Sequence, residues 1–545
     1  MHPATPDPPS RRPPALARAL PALAAFTVVA VLMAGVLVAF HPIYWETNDD
    51  VSMAMVANGY GMVAQSSPSL IYVNIAWGWL VSHLPDLAGA MPYAWLTMLA
   101  LAVVGGALLG YTRAAGNAAW LALAALLLAM VRPIVFPSYT QLGGMAAAAA
   151  IVALLAASGR GCDGAWRWLP ATALFLLGCL LRPDLVLLMV LVAVPLLPWR
   201  ILLADRRLWA HAAALAVLVA GAFWLDARHY ATPAWDAFNA METVRVPYTD
   251  YGVGRAVLEQ LRPEAREGFS RADLALVQNW FFLDPAIADP PRLGALLAKV
   301  DMARMAMGNA DKARDSLGIL ARPELLPLVL AALVAAVRSG RRTRLLLAWA
   351  LFAAALVALG LLGRPAKLRI CVPVVAMLLF AALQFPLPRA ADWRRFVLPA
   401  ALVAMLATTL GLLWRESGVE HVRAAAVEAQ VAQLPRDRLH VVWSGALPVE
   451  VVFPVWIDRR QAGRVHLTEI GAWSLAPFTR DQWRRWHRGE FREELATRSV
   501  SLIAPPQLPH WLGDYCREHL GRPMRVLESQ RFDDFTRQEV TCAPR

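Results

Sequence analysis

Residues 40–61, FHPIYWETNDDVSMAMVANGYG, follow the first long apolar run of the chain. They place Glu46, Asp49 and Asp50 just beyond a membrane boundary, and no Lys or Arg occurs between His41 and Tyr111. As local structure the stretch reads as a helix start. Asn48 would be the N-cap, with Asp49 and Asp50 in the first turn, where the helix dipole favours carboxylates. The rest of the chain gives these acids a second meaning.

With 545 residues, 58% hydrophobic and 17% charged, and a mean hydropathy of +0.46, the chain is too apolar for a soluble multidomain protein and reads as polytopic. The first apolar run, Leu20 to Phe40, follows Arg11, Arg12 and Arg18 and has no small-x-small cleavage pattern before His41, so it is expected to be an uncleaved signal anchor. Further apolar runs lie at 93–111, 117–131, 141–158, 168–181, 185–198, 209–225, 320–338, 344–362, 368–388 and 396–414. If the N-terminus is cytoplasmic, the inner connectors carry Arg113, then Arg160 and Arg167, then Arg200, Arg206 and Arg207, then Arg338 to Arg344, then Arg389 to Arg395. Every inner connector is basic, as positive-inside bias requires. That placement accounts for much of the net charge of +12, and no basic aromatic motif supports nucleic-acid binding.

The expected fold is therefore an α-helical polytopic membrane protein of about eleven transmembrane helices. It has a cytoplasmic tail (1–19), a transmembrane domain (20–414) with outer loops 42–92 and 226–319, and a small extracytoplasmic C-terminal domain (415–545) of α/β or α+β type. In that domain LHVVWSG, RVHLTEI, SVSLIAPP and MRVLESQRF read as strands between helix-compatible polar stretches. The chain contains no GxGxxG, Walker or zinc motif. Cys516 and Cys542 are the cysteines of this domain, and an oxidising compartment would join them as a disulfide.

Several cations stand on the outer side against the usual bias. Arg132 ends one span, Arg182 and Asp184 share the short turn LLRPDLVLL, and GRPAKLRICVP contributes Arg364, Lys367 and Arg369. Arg offers a planar fork and Lys a point charge to phosphate oxygens, so these five are candidates for a lipid phosphate or pyrophosphate. The plainer readings are snorkelling to headgroups and an Arg182–Asp184 turn bridge. The first outer loop, acidic and rich in Tyr and Trp, is expected to lie on the membrane surface and to face the cations across a bipolar cleft.

The order of these parts resembles the GT-C superfamily, the polytopic glycosyltransferases that include protein O-mannosyltransferases, aminoarabinose transferases and oligosaccharyltransferases. ETNDD at 46–50, NGYG at 58–61, NIAWGWL at 74–80, RPD at 182–184 and the C-terminal domain carry the resemblance, whereas an oligosaccharyltransferase-like WWDYG is missing. The resemblance implies a catalytic carboxylate at Asp50 or Asp49, with Asp50 the first choice, or a divalent ion (Mg or Mn) held by the pair. It also implies a polyprenyl-linked sugar donor and an extracytoplasmic glycan, lipid or protein acceptor, with the enzyme among the lipids of a bacterial inner membrane. The rival classes are a secondary transporter or lipid flippase, which would show internal repeats and midplane charges, and a non-catalytic envelope assembly or export factor.

Overall fold

Backbone in hydrocarbon must satisfy its own hydrogen bonds, and a helix lies in every one of the apolar runs. The computed structural model describes residues 15–159, 165–301, 310–385, 394–443 and 445–544; most of the N-terminal tail, Arg160 and Arg389 lie outside them. In chain order come α1 (Ala15–Phe40), α2 (Asn48–Asn58), α3 (Ile75–His83), α4 (Pro92–Ala114), α5 (Ala119–Val135), α6 (Tyr139–Gly159), α7 (Leu169–Leu181), α8 (Pro183–Ala193) and α9 (Arg206–Tyr230). The second outer loop includes α10 (Asp236–Thr249) and α11 (Arg271–Gln278) and leads to α12 (Ala310–Gly318), α13 (Leu326–Arg338), α14 (Arg342–Leu361), α15 (Leu368–Ala382) and α16 (Arg394–Val431).

By length and composition, five of these helices can cross a bilayer: α1, α4, α6, α9 and α14. A sixth span results if α12 and α13 count together across their 79° bend. Helices α5, α7, α8 and α15 are apolar but only 10–17 residues long. About 15 residues reach roughly 22 Å against a hydrocarbon core of about 30 Å, so of the expected eleven spans five or six have, among the described residues, the length and composition to cross. Breaks account for the shortening: Pro183 divides α7 from α8, and Pro137 ends the α5 region.

The face of α9 identifies the solvent of this bundle. None of its residues is buried in the protein, and Val217 and Trp224 are 71% and 58% exposed. A helix this apolar with none of its residues buried belongs in lipid. The chain is an integral membrane protein. At the other extreme, α6 is almost wholly buried among α4, α7 and α15. Its run of small residues, Gly143, Gly144 and Ala146–Ala150, lets the neighbouring backbones approach closely.

The C-terminal region forms a five-stranded sheet of β1 (His440–Trp443), β2 (Leu467–Ile470), β3 (Val500–Ile503), β4 (Arg525–Arg531) and β5 (Thr536–Thr541), in the order β2-β1-β3-β5-β4. The first three strands are parallel, and β5 and β4 add antiparallel. The parallel strands are short apolar runs, whereas β5, TRQEVT, has no such signature. Beside the buried Val540 and Thr541 it buries an ion pair, Arg537 to Glu539 at 2.9 Å. Helices α17 (Pro477–Arg485) and α18 (Leu508–Leu520) flank the sheet.

A disulfide links Cys516 of α18 to Cys542 just after β5, with Cα atoms 6.1 Å apart. Closing a loop of this size stabilises by about 3 kcal/mol through chain entropy. Cys516→Ser with Cys542→Ser is therefore expected to lower the stability of the C-terminal region by about that amount in denaturant titration. Thiol labelling of the intact, unreduced protein should spare both cysteines.

This region sits on the first outer loop. Val455 N–H donates to Ile43 O at 3.1 Å, Leu467 N–H to Gly61 O at 3.3 Å, and Gln482 Nε2 to the same Gly61 oxygen at 3.0 Å. Arg459 pairs with Asp86 at 2.6 Å and donates to Asn58 O at 2.8 Å. The C-terminal region therefore covers part of this loop. From Asp50 to Asn58 α2 is buried throughout. Its apolar residues occur on all sides, so protein must cover all of them.

Candidate functional site

Helix α2 begins one residue earlier than its sequence suggests. Thr47, in extended geometry, is the N-cap and accepts from Asp50 N–H, and its hydroxyl donates to Asp50 Oδ2 at 2.7 Å. Asp50 also accepts from Tyr139 N–H at 2.8 Å, at the start of α6, and from the Tyr93 hydroxyl of α4 at 3.4 Å. It is 0% exposed. Burial raises its carboxyl to about 7, against the pull of the Thr47 and Tyr139 bonds. Asp50 thus fastens α2 to two membrane helices and presents no oxygen to a substrate.

Asp49 turns the other way. Its carboxylate accepts no hydrogen bond among the described residues, and four cations act on it: Arg369, Lys367, Arg182 and Arg245. Burial raises its carboxyl above the ordinary range, and these cations pull it back. Lys367 precedes α15, Arg182 separates α7 from α8, and Arg245 lies on α10, so distant parts of the chain converge on one carboxylate. The sequence-predicted pair therefore separates in its contacts: Asp50 is hydrogen-bonded to three donors, while the Asp49 carboxylate accepts none among the described residues.

The five predicted cations separate as well. Lys367 and Arg369 form no ion pair of their own among the described residues. Arg182 bridges to Asp184 at 3.1 Å and donates to the Tyr139 hydroxyl at 3.1 Å, with its guanidinium over that ring. Arg364 is turned away, paired with Asp250 at 2.8 Å and lying over Tyr251. Arg132 is held by Glu416 through two bonds of 2.8 and 3.1 Å, with Glu46 3.7 Å away. Glu46 in turn accepts from Ser138 and Gln141. Arg132, Arg364 and Arg182 are accordingly engaged with carboxylates of their own, while Lys367 and Arg369 are not, and Lys367, Arg369 and Arg182 act on Asp49 electrostatically.

A cavity of about 630 Å³ opens beside this cluster, lined by Asn48 next to Asp49 and by Leu368 between the two cations. Glu46, Arg132 and Phe136 form its membrane side, and the bend between α12 and α13 adds Arg322 and Glu324. The C-terminal ends of β1 and β2 roof it, through Val442, residues 445–450 and Thr468–Glu469. Carboxylates outnumber cations along its wall, and burial with nearby Glu420 and Asp49 raises the Glu450 carboxyl. Such a lining offers many acceptors to a polyhydroxylated ligand.

The donor set does not suit the expected divalent ion. Asp50's oxygens are engaged by three donors, and Asp49 faces cations. Among the described residues, Asp273, Glu518 and His519 are the group of three ligand atoms within 4.8 Å of one another, and they lie far along the chain from ETNDD. There His519 Nε2 is already 2.7 Å from Asp273 Oδ1, as part of the seat of α18 on α11.

Sequence reasoning passed over Arg245, Tyr72 and Glu469. The phenol of Tyr72 lies in the electrostatic reach of Asp49, Glu469 and Arg245. Arg245 sits amid ordinary loop charges and Glu469 ends a strand, so neither carries a local signal.

No family model matches the chain, and no curated protein matches it. Among solved structures it is similar to ArnT from Cupriavidus metallidurans in the apo state, with 15% identity, coverage of 96% of this chain and 98% of that chain, and a TM-score of 0.39. It is similar to the same protein bound to undecaprenyl phosphate at 15% identity, with the same coverage and a TM-score of 0.37.

Proposed function

We propose that the protein is a glycosyltransferase that moves a sugar from a polyprenyl-phosphate or pyrophosphate donor to an acceptor hydroxyl outside the cytoplasm. The observation that carries this reading is the meeting of one unengaged carboxylate, Asp49, with Lys367, Arg369 and Arg182 beside a large cavity at the ends of apolar helices. A lipid phosphate enters such a place from the bilayer, and the sugar occupies the roofed cavity. Asp49 takes the proton of the acceptor hydroxyl as its oxygen attacks the anomeric carbon. The bond to the phosphate oxygen breaks, and the departing anion gathers charge against Lys367, Arg369 and Arg182. One direct displacement inverts the anomeric centre. No step is routed through a metal ion.

In this reading the shorter apolar helices complete the membrane domain to about eleven passes, with the N-terminus in the cytoplasm and the C-terminal domain outside. The acceptor is a glycan, lipid or protein. In-gel transfer of radiolabel from a polyprenyl-linked sugar tests the reaction, and a reporter fused after Arg545 tests the side. Label is expected in a saccharide, lipid or protein product, and the C-terminal reporter is expected to be active only outside. Lipid movement without transfer would indicate a flippase, and neither activity would indicate an assembly factor.

A further inference from the structure

Ile71 is β-branched and has φ +60°, a region such residues rarely adopt. Tyr72 N–H donates to Leu70 O at 2.6 Å around it, a γ-turn of the rare positive-φ kind. The turn is clamped on all sides. A Cβ on Gly78 would stand 1.9 Å from Pro68 O, so α3 presses directly on its start. Ser69 Oγ lies 2.7 Å from His229 Nε2, and Ile71 N–H donates to the Tyr230 hydroxyl at 3.1 Å. Asn74 is tied to Leu180 O at 2.8 Å and to Ala222 O at 3.1 Å.

Strain of this kind persists only where surrounding structure over-determines it, and it gathers where a side chain must be aimed. What the turn aims is Tyr72. Its ring stacks on Tyr139 of α6, with centroids 6.2 Å apart and planes at 19°, and meets Trp473 of the C-terminal region edge-on at 5.4 Å. First outer loop, membrane bundle and roof thus hold one phenol in common. The residue is half-buried, its hydroxyl has no hydrogen-bond partner among the described residues, and Asp49, Glu469 and Arg245 lie within its electrostatic reach. Burial raises this hydroxyl well above the usual phenol range, so it remains a donor at any working pH.

We propose that the strained turn at Ile71 holds the Tyr72 hydroxyl, within the electrostatic reach of Asp49, to donate a hydrogen bond that forms in the transition state to a hydroxyl oxygen of the transferred sugar and so orient it for attack. This specificity role rests on the glycosyltransferase reading above. Tyr72→Phe removes the hydroxyl and keeps the ring between Tyr139 and Trp473. At saturating donor, kcat is expected to fall about tenfold, the scale of one lost substrate hydrogen bond, with donor KM and Tm unchanged. A purely structural tyrosine would move Tm, or KM and kcat together. Unaltered kcat in the variant, or a loss matched by a lower Tm, would overturn the role while leaving the enzyme reading intact. Wild-type protein inert toward lipid-linked sugars would remove that reading and this role with it.

Discussion

Asp49→Asn lowers transfer by at least about a hundredfold, the usual scale for losing a general base, and leaves folding and donor binding in place. A first-turn acid with only a dipole role would cost about 1 kcal/mol or less on replacement, and turnover would be nearly normal. The two cases separate when turnover and donor binding are measured independently on purified, folded protein. Asp50→Asn behaves differently. It disturbs the attachment of α2 to α4 and α6, so its loss appears as reduced thermal stability together with reduced activity. Because the Asp49 carboxyl lies above the ordinary range, the acid limb of kcat also lies above the ordinary carboxylate range, and activity is lost as pH falls through it. Near wild-type turnover in Asp49→Asn would leave the pair as cap and fastener and remove the residue-level support for an enzyme.

The joint replacement Lys367→Gln with Arg369→Gln weakens donor binding by at least about a hundredfold, since each hydrogen bond to a charged phosphate contributes about 1.5–3 kcal/mol. Equilibrium binding of a polyprenyl-phosphate sugar to detergent-purified protein reads this directly. Arg364→Gln is the internal control. Its guanidinium is occupied by Asp250 and Tyr251, so the donor affinity of this variant stays within about threefold of wild type, as is usual for an exposed pair of small net worth. Equal losses in the control and the joint variant would mean a diffuse headgroup field rather than a phosphate site.

Much of the architecture was legible in the order of residues. Hydrophobic runs have the length of helices, lipid requires those helices, and alternation of Val, Ile and Leu with polar stretches marks the strands β1 to β4. The disulfide partners were legible too, as the two cysteines of one region. Span count was not, because whether a short apolar helix crosses, bends or stops within the bilayer depends on its neighbours. Strand β5 escaped notice because two of its four buried places are taken by Arg537 and Glu539, which are compatible with burial only as partners.

At the site the division is sharper. Composition and pattern sufficed to mark an acidic loop and a set of outer cations, and to bring attention to ETNDD, because charge beside a membrane is costly and seldom idle. Which acid is hydrogen-bonded into the fold could not be read there. Consecutive residues on a helix point about 100° apart, and α2 is apolar all round, so no periodicity distinguishes its inward side from its open one. Tertiary packing decided it, by setting Tyr139, Tyr93 and Thr47 around Asp50 and leaving Asp49 to Lys367, Arg369, Arg182 and Arg245. The same packing engaged Arg132 with Glu416 and Arg364 with Asp250 and brought in Arg245 and Tyr72. The pairing of charges hundreds of residues apart is a property of the folded surface, and no local stretch of chain contains it.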